Sequence, residues 1–164
     1  DVTRIESQTF RLTKENFSLD ELLTRIMTDC REVVKRSRTD LELTLEPESN
    51  ETFVEADKSR IAQVVTNLIT NAIRFTKNGN VSVAVTKDKA NDIVVSIRDT
   101  GQGIDPEIIP RLFTKFVTKS ITGTGLGLFI SKSIIEAHGG SIWAENNLDG
   151  RGATFTFTIP VKVN

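Results

Sequence analysis

Cysteine occurs once in the 164 residues, at Cys30, so no internal disulfide can form. Histidine also occurs once, at His138, which leaves too few soft ligands for a zinc cluster. Proline is sparse, with single residues at 47, 106, 110 and 160, and no repeat or low-complexity tract divides the chain. No apolar run approaches the roughly 18–20 residues of a membrane span, and the opening Asp1-Val2-Thr3-Arg4-Ile5-Glu6 lacks the basic-then-apolar order of a secretory signal. An excess of one charge is lacking too, because 21 basic against 22 acidic side chains leave a net −1. With no basic cluster beyond Lys35, Arg36 and Arg38, a nucleic-acid partner is not expected. What remains is a soluble chain, expected to be cytoplasmic and to make no direct membrane contact, of a length that one ordinary hydrophobic core can hold.

Hydrophobic spacing gives the architecture. Residues 1–16 carry only scattered apolar positions, Val2, Ile5, Phe10 and Leu12, and read as the tail of a helix running into a linker; the domain is expected over 17–164. Ser18 and Glu21 have capping-box spacing, and Leu19, Leu22, Leu23, Ile26, Cys30, Val33 and Val34 follow at helical intervals. Period-two segments at Leu41, Leu43 and Leu45 and around Phe53-Val54 predict strands. Asp57 is placed to cap a second helix carrying Ile61, Val64, Val65, Leu68, Ile69, Ala72 and Ile73, which should stop near Asn78-Gly79. Strands are expected at Val81–Val85 and Ile93–Ile97, helices over about 106–116 and 125–137, and a closing pair of strands near 141–145 and 153–160. The alternation implies a sheet buried on one face and covered there by helices, an α+β two-layer sandwich.

Three local patterns point to chemistry. On the second helix Gln63, Asn67 and Asn71 recur every four residues, so three amides share one face. That face is either an ordinary wet surface or a coordinating one, since an Asn carbonyl is a neutral hard oxygen suited to Mg²⁺. In Ile97-Arg98-Asp99-Thr100-Gly101-Gln102-Gly103-Ile104 an apolar strand ends in an acid and two glycines. The glycines permit positive φ and close approach of a planar ligand, and an ionised Asp99 only accepts hydrogen bonds, which favours an amino-bearing purine edge and repels the O6 of guanine. A plain Asp-x-Gly turn is the alternative reading. Finally, Gly123-Thr124-Gly125-Leu126-Gly127-Leu128 leads directly into a helix, where free N–H groups at the positive end suit phosphate. It is not a dinucleotide fingerprint, because no strand runs straight into it. Between the last two patterns lie Phe113 and Phe116, better suited to anchor a helix face than to touch a ligand, and Lys115 and Lys119, long enough to reach phosphates.

Taken in order, these elements resemble the ATP-binding catalytic domain of sensor histidine kinases, in the superfamily shared with DNA gyrase, heat-shock chaperones and mismatch-repair ATPases. The resemblance covers about residues 17–160. Asn67-Leu68-Ile69-Thr70-Asn71-Ala72-Ile73-Arg74-Phe75-Thr76 is similar to the family's asparagine box, Asp99 to Gly103 to its first glycine box, and Gly123 to Leu128 to its second. The resemblance implies a Bergerat-type ATP-binding fold, a mixed, mostly antiparallel sheet with three main helices. It implies that Asn71 binds Mg²⁺ with Asn67 near the phosphates, that Arg74 faces phosphate, and that Phe75 lies beside the base. Asp99 would bind the adenine amino group, supported by Thr154. Gly101, Gly103, Ile104, Phe116, Thr124, Gly125, Leu126, Gly127 and Leu128 would complete the nucleotide site, residues 104–124 forming a mobile lid. Where many such kinases carry a phosphate-binding arginine after the second phenylalanine, this chain has Val117-Thr118-Lys119, so Lys119 is the expected substitute.

The same resemblance implies the reaction and its partners. Hydrolysing relatives place a glutamate four residues before the Mg²⁺ asparagine, as general base on water; here that position is Asn67. An amide takes no proton, whereas an imidazole with a pKa near ~6.5 is nucleophilic at pH 7 unaided. Transfer to histidine is therefore expected over hydrolysis, with an ATP-driven switch, a nucleotide-binding module or an anti-sigma-type serine kinase as alternatives. His138, in Ala137-His138-Gly139-Gly140, sits at a helix stop and reads as a capping residue, not as the acceptor. The implied partners are ATP, the histidine-containing dimerisation domain, whose end residues 1–7 resemble, and a response regulator.

Overall fold

The computed structural model of the chain describes residues 11–37, 39–47, 50–115 and 126–161. Helix α1 (Leu19–Arg36) begins where Ser18 Oγ accepts the Glu21 N–H at 3.2 Å, with Asp20 and Glu21 in its first turn and Lys35 and Arg36 in its last, as the helix dipole favours. Helix α2 (Lys58–Phe75) is capped by Asp57, whose Oδ1 accepts the Arg60 N–H at 3.3 Å. Helix α3 (Gly127–Ala137) is shorter and ends at His138. Helices α1 and α2 bury the stripes their spacing predicts, except that Val33 of α1 is 60% exposed and Ile73 of α2 is half-buried, each at the edge of its stripe.

Strands β1 (Glu15–Ser18) and β3 (Phe53–Ala56) pair antiparallel as a small ribbon. Glu15 and Asn16, read from sequence as linker, pair with Ala56 and Glu55 in this ribbon. The main sheet has the order β2-β4-β5-β7-β6, formed by β2 (Leu41–Glu46), β4 (Gly79–Lys87), β5 (Ile93–Asp99), β6 (Ile142–Asn146) and β7 (Ala153–Ile159). Only β2–β4 is parallel; the other three pairings are antiparallel. Val81, Val83, Val85, Val95, Ile97, Phe155 and Phe157 are buried among the helix side chains, while Ser82, Ser96, Thr154 and Thr158 lie on the alternate positions. The fold is the expected α+β sandwich with a mixed, mostly antiparallel sheet and three helices.

One predicted helix is absent. Of the span 106–116, residue 116 lies outside the described residues, and the remainder holds only a short 3₁₀ turn at Ile109–Arg111. Pro110 lacks the N–H for an α-helical bond, and the chain is instead closed by i to i+3 bonds from Arg111 to Ile108 (2.9 Å) and from Thr114 to Arg111 (3.0 Å). The turn still buries Leu112, and Phe113 meets the Phe155 ring edge-on at 6.3 Å.

Candidate functional site

An open cleft lies where the C-terminal half of α2, the loop after β5, the 3₁₀ turn, the start of α3 and the first residues of β7 converge. Asn71 and Phe75 enter from α2, one turn apart, because they continue toward its C-terminal end the same face that Val64 and Leu68 bury in the core. Ile108 and Leu112 close it from the turn, and Leu128 from α3. Most of the wall is apolar.

Among its polar residues Asp99 is buried, only 4% exposed. Its Oδ1 accepts two backbone N–H groups, from Gly101 at 2.9 Å and Ala153 at 3.2 Å. Oδ2 is left as an acceptor on the cleft wall. Burial raises the carboxyl pKa above its ordinary 3.8, and the two backbone bonds oppose that rise by favouring the charged form. One oxygen is thus held by the backbone, and the other can accept from a donor in the cleft.

Two glycines allow this geometry. A Cβ on Gly101 would lie 2.3 Å from the Phe75 carbonyl oxygen, so the loop can press against the end of α2 only without a side chain. Gly152, with φ +79°, approaches so closely that a Cβ would stand 2.0 Å from the Asp99 carbonyl oxygen. Beyond Gly103 (φ +80°), both main-chain groups of Ile104 are held by the Asn146 amide, its Oδ1 accepting the Ile104 N–H at 2.7 Å and its Nδ2 donating to the Ile104 carbonyl at 2.8 Å.

Of the residues expected at the site, Asn71, Phe75, Asp99, Gly103, Ile104 and Leu128 line the cleft. Gly101 shapes it from behind. Asn67 does not line it; its Nδ2 reaches the Gly127 carbonyl and Ser131 Oγ, both at 3.4 Å, and so ties α2 to α3. Gln63, the third amide of that face, accepts from Arg60 at 3.3 Å. Arg74 is exposed and outside the cleft wall. Thr154 is a departure from expectation: strand alternation turns Ala153 and Phe155 into the cleft and leaves Thr154 on the other face, where its Oγ1 donates to Asn147 Oδ1 at 2.6 Å. Leu126 is the residue preceding α3, and Lys115 Nζ sits 5.2 Å from the centre of the Phe129 ring. Phe116, Lys119, Gly123, Thr124 and Gly125 lie outside the described residues. His138 is the cap it was read to be: buried, with Nε2 accepting the Asp57 N–H at 3.0 Å and Nδ1 paired with the Ile134 carbonyl at 2.8 Å.

Sequence reasoning missed Ala153, Phe155, Leu112, Asn146, Asn147 and Gly152. The only local signal was two adjacent asparagines before the turn Leu148-Asp149-Gly150-Arg151-Gly152. A buried anionic acceptor at the end of an apolar cleft suits a flat heterocycle with an exocyclic amino group.

Comparisons with known proteins bear on the fold and the family. A family model described as histidine kinase-, DNA gyrase B-, and HSP90-like ATPase matches residues 56–163. The sensor protein FixL of Bradyrhizobium diazoefficiens is 43% identical over 129 residues, which cover 77% of this chain and 25% of FixL. The chain therefore spans about a quarter of that relative's length. Among solved structures, full-length ShkA in complex with AMPPNP superposes with a TM-score of 0.86 at 27% identity, covering 96% of this chain and 33% of ShkA. The catalytic domain of histidine kinase ThkA gives a TM-score of 0.81 at 34% identity, covering 91% of this chain and 96% of that domain. ThkA in complex with the response regulator protein TrrA gives 0.79 at 31% identity, covering 97% of this chain and 46% of the matched chain.

Proposed function

The chain belongs to the histidine kinase-, DNA gyrase B- and HSP90-like ATPase family, with histidine kinase catalytic domains among its near-full-length structural matches, and from that premise we propose that it moves the γ-phosphate of ATP to a histidine on another domain. The observation that carries the reading is Asp99, buried with one oxygen tied down and the other on the cleft wall. The adenine amino group is its donor, with Phe75, Ile104 and Leu112 supplying apolar contact to the ring.

Asn71 is the residue that fits Mg²⁺. It is half-buried on the cleft wall and offers a neutral oxygen, and among the described residues no group of three His, Cys, Asp or Glu side chains could hold a metal. The ion's other ligands would be phosphate oxygens and water, and its contribution is to neutralise charge on the phosphates. The chain's own part is to bind the base, aim the triphosphate along the α2–α3 seam and exclude water. Asn67 cannot take a proton from water, which favours transfer over hydrolysis. Lys119, Thr124 and Gly125 are assigned to the phosphates and Phe116 to the lid by the family resemblance alone, and Arg74 to outer-sphere attraction of phosphate.

The histidine is placed on a dimerisation domain that residues 1–16 would adjoin, and a response regulator would receive the phosphate next. Among the described residues no helix is long and apolar enough to cross a membrane, and the reaction is assigned to the cytoplasm, where ATP is plentiful. The test mixes this chain with the separately prepared histidine-bearing domain of the longer protein and γ-labelled Mg-ATP. Acid-labile phosphate on histidine, absent with Asn71→Ala, is expected; steady release of inorganic phosphate with no label on histidine would overturn the proposal.

A further inference from the structure

Two adjacent amides hold both ends of the loop that carries Asp99. Asn147, buried at the end of β6, donates from Nδ2 to the Asp99 carbonyl at 2.9 Å and to the Arg151 carbonyl at 2.7 Å, and accepts from Thr154. Asn146 holds the other end through its two bonds to Ile104. Ile104 has no main-chain partner among the described residues, so this one side chain satisfies both its N–H and its carbonyl, as a neighbouring strand would. Closer to α2 the loop is fixed differently, by the Gly101 contact with the end of the helix and by the Gln102 N–H on the Phe75 carbonyl at 3.4 Å. The Asn146 amide is therefore what fixes the Ile104 end of the loop, and Ile104 forms part of the cleft wall.

We infer that Asn146 is a positioning residue for the purine: it holds Ile104 as a wall against the ring and so sets nucleotide affinity without touching the nucleotide. The inference rests on the adenine reading of the cleft. Its energetic logic is that, without the amide, Ile104 must be ordered when the base binds, and that cost appears as weaker binding. Because the wall faces the base and not the phosphates, ATP and ADP should lose affinity equally. Chemistry at saturating nucleotide should be unaffected.

The test is calorimetric titration of the whole chain with ATP, ADP and GTP, well below each variant's melting midpoint. Asn146→Ala is expected to raise the dissociation constants for ATP and ADP by the same factor, about tenfold, the size of one to two neutral hydrogen bonds. In the transfer assay KM for ATP rises likewise while kcat stays within about twofold. Asn146→Asp, isosteric and still able to accept the Ile104 N–H but unable to donate to its carbonyl, also raises both constants and covers the case in which the alanine variant fails to fold. Val34→Ala, a core truncation in α1, lowers the melting midpoint without moving either constant, which separates positioning from general destabilisation. Wild-type affinity in both Asn146 variants would overturn the inference while leaving the adenine site standing. Failure of the unsubstituted chain to prefer ATP over GTP would overturn the adenine reading and this inference with it.

Discussion

Replacing Asp99 with asparagine changes a single functional atom. Oδ1 keeps its place and still accepts from Gly101 at 2.9 Å and Ala153 at 3.2 Å, while Oδ2, an anionic acceptor on the cleft wall, becomes an NH₂ donor. On the proposed adenine reading of the cleft, the amino group of the base then faces another donor. Loss of a hydrogen bond to a charged group removes about 1.5–3 kcal/mol, and leaving a donor unpaired adds about 1–3 kcal/mol. The sum, about 2.5–6 kcal/mol, corresponds to a rise in the dissociation constant for ATP on the order of a hundred- to ten-thousand-fold. Stability should move the other way. The Asp99 pKa is raised by burial, so the folded state holds the proton more tightly than the unfolded chain, and stability falls as pH rises from about 3.8 through the folded-state pKa. The neutral amide of the variant carries no such cost, so Asp99→Asn should be at least as resistant to urea at pH 7 as the parent, with the advantage vanishing below about pH 4. Calorimetry with Mg-ATP and urea titrations at pH 7 and pH 4 measure both effects. Binding within threefold of the parent, or a variant that unfolds more easily at pH 7, would refute the division of labour between the two oxygens.

Two further outcomes follow from the geometry. Gly101→Ala places a Cβ 2.3 Å from the Phe75 carbonyl and 2.8 Å from Thr76 Oγ1 and should cost about 1–3 kcal/mol in urea melts, whereas Gly127→Ala, with its nearest neighbour at 3.9 Å, should stay within about 0.5 kcal/mol; equal effects would remove the steric argument. His138 is buried, its pKa lowered chiefly by desolvation and further by Lys14, against the Ile134 bond and the Asp57 charge, so below about pH 6.5 the unfolded chain takes up a proton that the folded one resists. Stability should be level in this respect above pH 6.5 and fall as pH drops through the folded-state pKa, a slope that His138→Gln must abolish in midpoints measured from pH 7.5 to 5.

Much of this architecture was legible because its signals are local. Ser18 and Asp57 cap helices through bonds spanning three residues, and the strands announce themselves by alternation. The same kind of signal misled at 106–116, where Ile108, Ile109, Leu112 and Phe113 have helical spacing but Pro110 forbids the bonding; tertiary contact with Phe155 satisfies the apolar pattern without a helix. Thr154 fails for a subtler reason. The resemblance names Thr154, yet the side chain that enters the cleft is set by register, and a shift of one residue exchanges the two faces of a strand.

Asp99 shows where the boundary lies. That an acid ends an apolar strand before two glycines can be read from seven consecutive residues, and so can its capacity as an acceptor. Which oxygen is free cannot, because Oδ1 is claimed by Ala153, 54 positions away, and the carbonyl beside it by Asn147, 48 positions away. Those contacts exist because β5 and β7 pair in a register that sets Arg98 against Thr154, and because Gly152 lets the hairpin close onto Asp99. The β6–β7 hairpin, which looks in the sequence like the plain end of a domain, is therefore part of the site. It gives the carboxylate its orientation through Ala153 and the wall its rigidity through Asn146, and a motif search confined to the asparagine and glycine boxes passes over both.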